Sequence, residues 1–498
     1  MSPSEFSRRR FLAVSASSLA LVACGEDSDS PSPVERPATP PENVPDVPEP
    51  TPVATHPPRG AHVSFTVDAH TSRSLTWFSD GDQAPVSFLE YDTVEEGMDD
   101  EAISATPLRH RIESRVEATT GVAALTHRAT ASDLPADKPF RYRVGSELGG
   151  WSPVRVVEPL PVKDWSFIHY GDQGTGPLAK LVTDEVLKTP SDLVLIAGDL
   201  SYADGTQSVW DVWFDQQEAL LSTRPMLAAA GNHEEKDFGG DAFKNRFTHP
   251  GKPATSIITG DNPGSTFYSF DVNRVHFLVT TAGALINDGT LPEEMLNIEA
   301  DLSLAAVRRA AGEIDFIVVM QHFPIWTDQD GRSPANPALV ALEENIIVRY
   351  GVDMLLVGHD HIYQRSAPMS FGLRNPLGYV QVMVGTGGAS VRLFDANGPQ
   401  AWSASEFVGI GFARYRVSPG RIAVEFIGAP PLGLSDEERG QSTGEFKVED
   451  RFEVTSRDAM ACRACVQAPR NRLELAALLS DYTQTMRDRP ARYIHSHG

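Results

Sequence analysis

Five apolar segments of this chain each end in side chains that can bind a metal ion. The segment Leu193–Ala197, for example, is followed by Gly198 and Asp199, and Tyr202 comes three residues later. Apolar segments that alternate with amphipathic stretches are typical of a parallel α/β sheet. In such sheets, ligands bind outside the carboxyl ends of the strands. The pattern predicts one shared site formed by the residues that follow the five segments: Asp172; Asp199 and Tyr202; Asn232 and His233; His322; and His359 and His361.

Four of the five segments have a glycine directly before the first of these residues. Glycine allows the backbone to turn sharply and to approach another chain segment closely. A single aspartate after a strand is usually a turn or cap residue. Because all five ends carry such residues, a metal site is the better interpretation of the pattern.

The types of side chain predict which ions would bind. Carboxylate and phenolate oxygens suit a trivalent ion, whereas histidine and asparagine suit a divalent ion such as zinc, iron or manganese. If one carboxylate bridges two metal ions, the ions can be held about 3.5–4 Å apart. Such a pair can bind both the attacking oxygen and the leaving oxygen of a displacement at phosphorus. A trivalent and a divalent ion, with two carboxylates, a phenolate and a hydroxide, leave a net positive charge that attracts phosphate.

The remaining sequence predicts two folded domains. Residues 59–160 contain short alternating segments such as RSLTWFSD and FRYRVG, which are typical of a small β-sandwich. Residues 161–455 contain buried-type apolar segments and four amphipathic stretches that predict an α/β domain. The four predicted helices are 178–188, 209–222, 292–312 and 336–351.

The motifs GDQG, GDLSYAD, GNHE, VMQH and GHDH, in this order, resemble those of the purple acid phosphatase family of metallophosphoesterases. The segments GFARYRVSPGRIAVEFIG and EDRFEV resemble closing strands of the plant-type members. The resemblance implies a fibronectin type III-like β-sandwich, followed by a metallophosphoesterase domain with a two-sheet β core flanked by helices. It also implies an acid phosphatase that hydrolyses phosphomonoesters by attack of a metal-bound hydroxide on phosphorus.

The resemblance also implies a role for each motif residue. Asp199 would bridge Fe(III) and a divalent ion (Zn, Fe or Mn), and His233 would be a catalytic residue that contacts the phosphate or the transition state. The other ligands implied are Asp172, Tyr202 and His361 for Fe(III), and Asn232, His322 and His359 for the divalent ion.

One segment departs from the family pattern. Gly331 and Arg332 stand where the family usually has one or two histidines near the leaving group. Asp328, Asp330 or Arg332 could act instead as a proton donor or a phosphate clamp. The departure leaves phosphodiester or nucleotide hydrolysis by the same fold as the alternative function. A non-enzymatic envelope protein is disfavoured by the complete set of donors, and GNHE and GHDH fit purple acid phosphatases better than an exported alkaline phosphodiesterase.

The N-terminal region predicts export. In residues 1–24, paired arginines precede an apolar stretch that is too short to span a bilayer, and the stretch ends in LVAC. This is typical of a twin-arginine lipoprotein signal with Cys24 as the lipidated residue, and an ordinary cleaved signal is the alternative. Residues 25–58 are rich in proline and acidic residues and predict a disordered tether. We expect a cell-envelope protein, in the periplasm, anchored through a lipid at Cys24, or on an outer surface.

The remaining cysteines and the charge narrow the possible partners. Cys462 and Cys465 lie in a C-terminal tail (456–498) with one helix-like stretch, and an exported location favours a disulfide between them. A structural zinc would need two further ligands, and no thioredoxin-like unit surrounds the pair.

The net charge of -24 argues against a nucleic-acid partner. A small phosphate ester is the predicted substrate.

Overall fold

The computed structural model of the 498-residue chain describes residues 58–66, 68–80, 86–118, 124–251, 266–282 and 291–457. The predicted signal with Cys24, almost all of the predicted tether, and Cys462 and Cys465 in the tail lie outside these residues. In the described part of the chain, no helix is long and apolar enough to cross a membrane.

The first domain is a β-sandwich of two antiparallel sheets. Its sheets have the orders β1-β2-β6-β5 and β4-β3-β7-β8, with β9 paired to β7. Alternate residues of the strands, such as Leu75 and Trp77 in one sheet and Tyr142 and Val144 in the other, fill a shared core. The elements are β1 (Arg59–Ser64), β2 (Arg73–Asp80), β3 (Phe88–Thr93), α1 (Asp100–Ala105), β4 (His110–Glu113), β5 (Arg115–Ala118), β6 (Ala124–Ala131), β7 (Phe140–Ser146), β8 (Gly150–Trp151) and β9 (Arg155–Val157).

The second domain contains the predicted apolar segments and helices. Its first half comprises β10 (Trp165–Tyr170), α2 (Pro177–Lys188), β11 (Leu193–Ala197), α3 (Ser208–Leu221), β12 (Met226–Ala229), α4 (Asn232–Glu235), α5 (Asp241–Arg246), β13 (Tyr268–Val272), β14 (Val275–Val279), α6 (Leu291–Ala310) and β15 (Phe316–Met320). Its second half comprises α7 (Pro337–Leu339), α8 (Asn345–Tyr350), β16 (Met354–Val357), β17 (Tyr363–Ser366), β18 (Met369–Ser370), β19 (Leu373–Arg374), β20 (Val380–Val384), β21 (Ser403–Phe407), β22 (Ile410–Ser418), β23 (Arg421–Ala429), α9 (Asp436–Arg439) and β24 (Lys447–Thr455).

Two sheets form the core of this domain. A six-stranded sheet has the order β12-β11-β10-β22-β23-β24, and a seven-stranded sheet has the order β13-β14-β15-β16-β20-β17-β21. One core cluster joins residues of both sheets, including Phe167, Val194, Phe277 and Met354. A second cluster packs α6 and α8 on the other face of the seven-stranded sheet. These observations confirm the predicted β-sandwich and the two-sheet core flanked by helices.

The last predicted helix differs from a regular α-helix. Between α7 and α8, residues Val340–Glu344 form a π-helix. Both Glu343 and Glu344 are buried there, and Glu343 accepts a hydrogen bond from Gln321 Nε2 at 3.0 Å. A wider turn places these adjacent glutamates inside the protein together, which a 3.6-residue period does not predict.

Candidate metal centre

The predicted donors follow strands of both sheets. Asp172, Asp199 and Asn232 come after the parallel strands β10, β11 and β12 of the six-stranded sheet. His322 and His359 come after the parallel strands β15 and β16 of the seven-stranded sheet. The site therefore lies where the carboxyl-end edges of two packed sheets meet, rather than at the edge of one sheet.

The backbone at the site has unusual geometry. Four donor residues, none of them glycine, have positive φ angles: Asp172 (59°), Asp199 (51°), Tyr202 (58°) and His359 (71°). Such conformations cost on the order of 1–3 kcal/mol each and tend to occur at functional sites. The surrounding packing holds these four residues in position in spite of this cost.

The glycines before the donors are required by close contacts. A Cβ at Gly231 would lie 2.2 Å from Asp199 Oδ1, and one at Gly358 would lie 2.5 Å from Asp172 Oδ2. A Cβ at Gly198 would lie 2.7 Å from His322 Nδ1. Each of these glycines therefore leaves room for a donor that comes from a different strand.

One group of donors consists of Asp172, Tyr202 and His361. The Tyr202 hydroxyl lies 3.2 Å from Asp172 Oδ1 and 3.0 Å from His361 Nε2. The third edge, from His361 Nε2 to Asp172 Oδ1, is 3.3 Å. Donor atoms bound at about 2.1 Å to one ion lie about 3.0–3.4 Å from one another. The three atoms therefore fit the coordination sphere of a single ion.

A second group surrounds His322 Nε2. This nitrogen lies 3.1 Å from Asn232 Oδ1, 3.1 Å from His359 Nδ1 and 3.2 Å from Asp199 Oδ2. The other nitrogen of the ring, His322 Nδ1, lies 2.8 Å from the Ala197 carbonyl and donates to it, so Nε2 of the neutral ring carries a lone pair. Asp199, His322 and His359 have ligand atoms that all lie within 4.8 Å of one another. These donors fit a second ion.

The electrostatics of the site favour a bound cation. Burial lowers the pKa of His322, but the charges of Asp199 and Asp172 outweigh it and raise the pKa to about 10, so Nε2 holds a proton when no ion is bound and a bound cation would take the place of that proton. Removal from water and the carboxylates Asp172 and Asp199 raise the pKa of Tyr202 well above its ordinary value. A phenolate forms at this position only if a strong positive charge lies beside it.

Residues that were not predicted hold the donor loops in place. The buried carboxylate of Glu234 accepts hydrogen bonds from the backbone N–H groups of Gly231, Asp199 and Leu200 at 2.7, 2.8 and 2.9 Å. Ser390 Oγ lies 2.5 Å from His361 Nδ1 and orients that ring. Glu234 belongs to the GNHE motif, so the sequence contained a signal for its role. Nothing in the sequence near Ser390 indicated a contact with His361.

His233 lies beside the donors and forms a pair with Asp204. Its Nδ1 is 2.6 Å from Asp204 Oδ1, and its ring packs on Tyr202 with the ring centroids 4.1 Å apart. His233 Nε2 lies 3.8 Å from Asp199 Oδ2, and the His233 N–H donates to Asp199 Oδ1 at 2.9 Å. The Asp204 partner was not predicted, although it belongs to the GDLSYAD motif.

The three candidates near Gly331 have different surroundings. Asp328 is buried, and its Oδ2 accepts hydrogen bonds from Gln364 Nε2 at 2.7 Å and from the Gln400 N–H at 3.0 Å. Asp330 is exposed. Arg332 pairs with Asp360, between His359 and His361, with an Nε–Oδ1 distance of 2.9 Å. Of the three, Arg332 is the residue paired with the ligand-bearing GHDH loop.

Comparisons with known proteins agree with this architecture. The calcineurin-like phosphoesterase family model matches residues 167–363, and the model of the purple acid phosphatase N-terminal domain matches residues 58–158. Purple acid phosphatase 18 of Arabidopsis thaliana is 26% identical over 341 residues, which are 66% of this chain and 71% of the plant protein.

Two solved structures share the fold. Purple acid phosphatase PPD1 from yellow lupin (Lupinus luteus) seeds matches with a TM-score of 0.66 and 20% identity, over 84% of this chain and 77% of that chain. The structure of PhoD matches with a TM-score of 0.57 and 13% identity, over 86% of this chain and 98% of that chain.

The fold and the family match define the class of this protein. It carries a calcineurin-like phosphoesterase domain, and this domain together with the purple acid phosphatase relatives supports a hydrolase that acts on phosphoric ester bonds. Within that class it is purple acid phosphatase-like in both domains, and the predicted resemblance is confirmed.

Proposed function

We propose that this protein is an exported acid phosphatase that uses two metal ions to hydrolyse phosphomonoesters. The observation that carries the proposal is the convergence of donors from five strand ends into two groups. Asp199 Oδ2 lies 3.2 Å from His322 Nε2 of the second group, and the charge of Asp199 acts on Tyr202 of the first group.

Each group of donors suits a different ion. Asp172 and Tyr202 supply hard oxygens that suit Fe(III), and His361 completes their group. Asn232, His322 and His359 suit Zn, Fe or Mn in the divalent state. When bound, the two ions would supply Lewis acidity to the phosphoryl oxygens and would lower the pKa of an attacking water.

His233 is the residue best placed to move a proton in this reaction. Asp204 holds its Nδ1 at 2.6 Å, which leaves Nε2 directed toward the donors, 3.8 Å from Asp199 Oδ2. We assign to His233 a contact with the transferred phosphoryl group and to Asp204 the orientation of that ring.

The first experiment is the visible absorption spectrum of protein purified without chelators, beside Tyr202→Phe, with the metal content of both. A violet-region band that disappears in the variant supports a tyrosinate–Fe(III) pair. A colourless protein with stoichiometric metal contradicts the ferric ion. Turnover of a phosphomonoester and a phosphodiester on one preparation then decides between the proposed function and its alternative.

The proposed location needs a separate test, because it depends on residues 1–24. We expect the wild-type chain in the membrane fraction of its host and a Cys24→Ser chain in the soluble envelope fraction. Wild-type protein that stays in the cytoplasm contradicts export.

A further inference from the structure

Glu343 is a fully buried glutamate outside the two groups of donors. It lies in the π-helical turn Val340–Glu344, and the neighbouring residues that face the same core are apolar: Leu339, Leu342, Ile346 and Ile347. A carboxyl group buried among apolar side chains costs free energy unless both oxygens are hydrogen-bonded. In the described part of the chain, Glu343 Oε1 has no hydrogen-bond partner. We therefore expect Glu343 to lower the stability of the fold at this position.

The other oxygen of Glu343 contacts the end of β15, where a donor histidine follows. Glu343 Oε2 accepts a hydrogen bond at 3.0 Å from Nε2 of Gln321, the residue directly before His322. The same nitrogen donates to the Phe323 carbonyl, directly after His322, at 2.9 Å. A side-chain amide carries two N–H groups, so it can serve both acceptors. The Gln321 side chain therefore bridges the two residues on either side of His322 and ties them to the π-helical turn.

Phe323 connects this bridge to two of the donor rings. The centroid of its ring lies 5.2 Å from that of His322 and 4.4 Å from that of His359. Phe323 is partly buried and packs against both core clusters of the domain. Because its carbonyl is held by Gln321, its ring has a fixed place beside both histidines.

These contacts are confined to the second group of donors. In the described residues, neither Gln321 nor Phe323 makes a hydrogen bond or a ring contact with the members of the first group, which are Asp172, Tyr202 and His361. Metal–ligand distances tolerate deviations of only about 0.2 Å. A small displacement of His322 or His359 would therefore weaken the ion of the second group and leave the other ion in place.

We propose that Glu343 is a positioning residue that acts through Gln321 and Phe323 on the two histidines of the second group. It touches no ion and no substrate. Its contribution is to fix the donor turn after β15 from the helical side, at a cost in stability. The inference rests on the proposed function, and it adds to that function the residues that set the affinity for one of the two ions.

The environment of Glu343 indicates which substitutions keep the bridge and which remove it. Burial, together with the nearby charges of Glu294 and Glu344, raises the pKa of Glu343 to about 8. Glu343→Gln therefore replaces a neutral group by a neutral group of the same shape and keeps an acceptor oxygen for Gln321. Glu343→Leu removes the acceptor and matches the apolar surroundings, so it separates the bridge from the stability of the core.

The test uses Zn²⁺ as the probe of the second group. The full-length protein is purified without chelators, its divalent ion is exchanged for Zn²⁺, and zinc and iron are measured over a series of chelator concentrations. Urea unfolding of metal-free protein gives the stability separately. Glu344→Leu is the matched control, because Glu344 is buried in the same turn but accepts hydrogen bonds from the Tyr379 hydroxyl at 2.9 Å and the Phe371 N–H at 2.6 Å instead of from Gln321.

We expect Glu343→Leu to weaken zinc affinity by about 10-fold, with iron retained and with a urea midpoint at least as high as that of the wild type. Glu343→Gln should keep the wild-type affinity. Gln321→Leu should weaken zinc to the same extent as Glu343→Leu, and the double variant should lose no more, because both changes remove one bridge. Glu344→Leu should lower the urea midpoint and keep the wild-type zinc affinity.

Three results would overturn the inference and leave the proposed function intact. The first is wild-type zinc affinity in Glu343→Leu or, if that chain does not fold, in Gln321→Leu. The second is a loss of zinc and iron together with a lower urea midpoint, because Glu343 would then serve the fold as a whole. The third is a selective loss of zinc in Glu344→Leu as large as in Glu343→Leu. A wild type that retains no zinc and hydrolyses no phosphomonoester would overturn the proposed function, and this inference with it.

Discussion

Two clusters in the described part of the chain combine a buried histidine with carboxylates, and they are built in different ways. In the His276 cluster (His276, Asp271, Asp301 and Arg308), the imidazole lies between two carboxylates. His276 Nδ1 is 2.8 Å from Asp271 Oδ1, and His276 Nε2 is 2.8 Å from Asp301 Oδ1. Arg308 donates a further hydrogen bond to Asp271 at 2.6 Å. The cations of the protein itself balance the charges of this cluster.

In the candidate metal centre, the donors face one another instead. His322 Nε2 is surrounded by Asn232 Oδ1, Asp199 Oδ2 and His359 Nδ1, all within 3.2 Å. An imidazole nitrogen that faces another imidazole nitrogen and two oxygens fits donors that share one ion. The comparison teaches that similar residue types serve stability when they pair with each other and serve metal binding when they converge on one point.

The largest expected effect that distinguishes the clusters comes from Asp199→Asn. This substitution removes the negative charge next to both groups of donors, so we expect the metal content to fall and kcat to drop by at least about 10³-fold, more than the loss of one transition-state donor. Metal analysis and steady-state kinetics measure both effects. An Asp199→Asn protein with full metal content and wild-type turnover would contradict the bridging role.

The reciprocal experiment is His276→Gln. It leaves the buried carboxylate of Asp301 without its histidine partner, whereas Asp271 is exposed and keeps Arg308, so we expect the free energy of unfolding at pH 7 to fall by about 3 kcal/mol. Metal content and kcat should stay near wild type. Urea unfolding monitored by fluorescence gives the first quantity, and unchanged stability would show that the His276 cluster contributes nothing.

The pH dependence of stability sharpens this expectation. Burial lowers the pKa of His276, but its hydrogen bonds to Asp271 and Asp301 outweigh burial and raise it from 6.5 to about 9. The folded chain therefore binds the proton more tightly than the unfolded chain. This stabilising contribution, on the order of 3 kcal/mol, is complete below pH 6.5 and is lost as the pH rises through 9. We expect the free energy of unfolding of the wild type to decline between pH 6 and pH 10. The part of this decline that comes from His276 should be absent in His276→Gln.

His233→Asn tests the proton carrier of the candidate centre. We expect kcat to fall by about 10²-fold, since general acid–base catalysis contributes at least that factor. Metal content should not change, because His233 is not among the proposed ligands. Asp204→Asn should give a smaller loss, because the amide still offers an oxygen to orient the His233 ring. A His233→Asn enzyme that loses its metal would assign to His233 a ligand role instead.

The smallest expected effect is that of Ser390→Ala. Ser390 contacts the His361 ring at Nδ1, so its removal should weaken metal affinity by about 10-fold, a usual size for a partner of a metal-binding histidine. Competition with a chelator measures the affinity. Ser303→Ala, which alters a helix hydroxyl that donates to the Ala300 carbonyl, is a matched control. Equal affinity in Ser390→Ala and wild type would show that other contacts orient His361.

The sequence by itself determined the five apolar strands that carry the donors and the four predicted helical stretches, and it determined which side chains follow those strands. These are local properties, because the run of apolar residues in Leu193–Ala197 and the Gly198–Asp199 pair after it need no distant partner to be recognised. The four predicted helices accordingly have observed ends within two residues of the predicted ones, at 177–188, 208–221, 291–310 and 337–350.

Only the tertiary structure decided which distant groups meet. It divided the donors between two sheets, paired Asp204 with His233, brought Ser390 to His361 and tied Arg332 to Asp360. These contacts join residues that are 28 to 29 positions apart, or that lie on different sheets, and no local period encodes them. The physical reason is that strand and helix signals come from neighbouring residues, whereas the packing of two sheets decides which loops share a small volume.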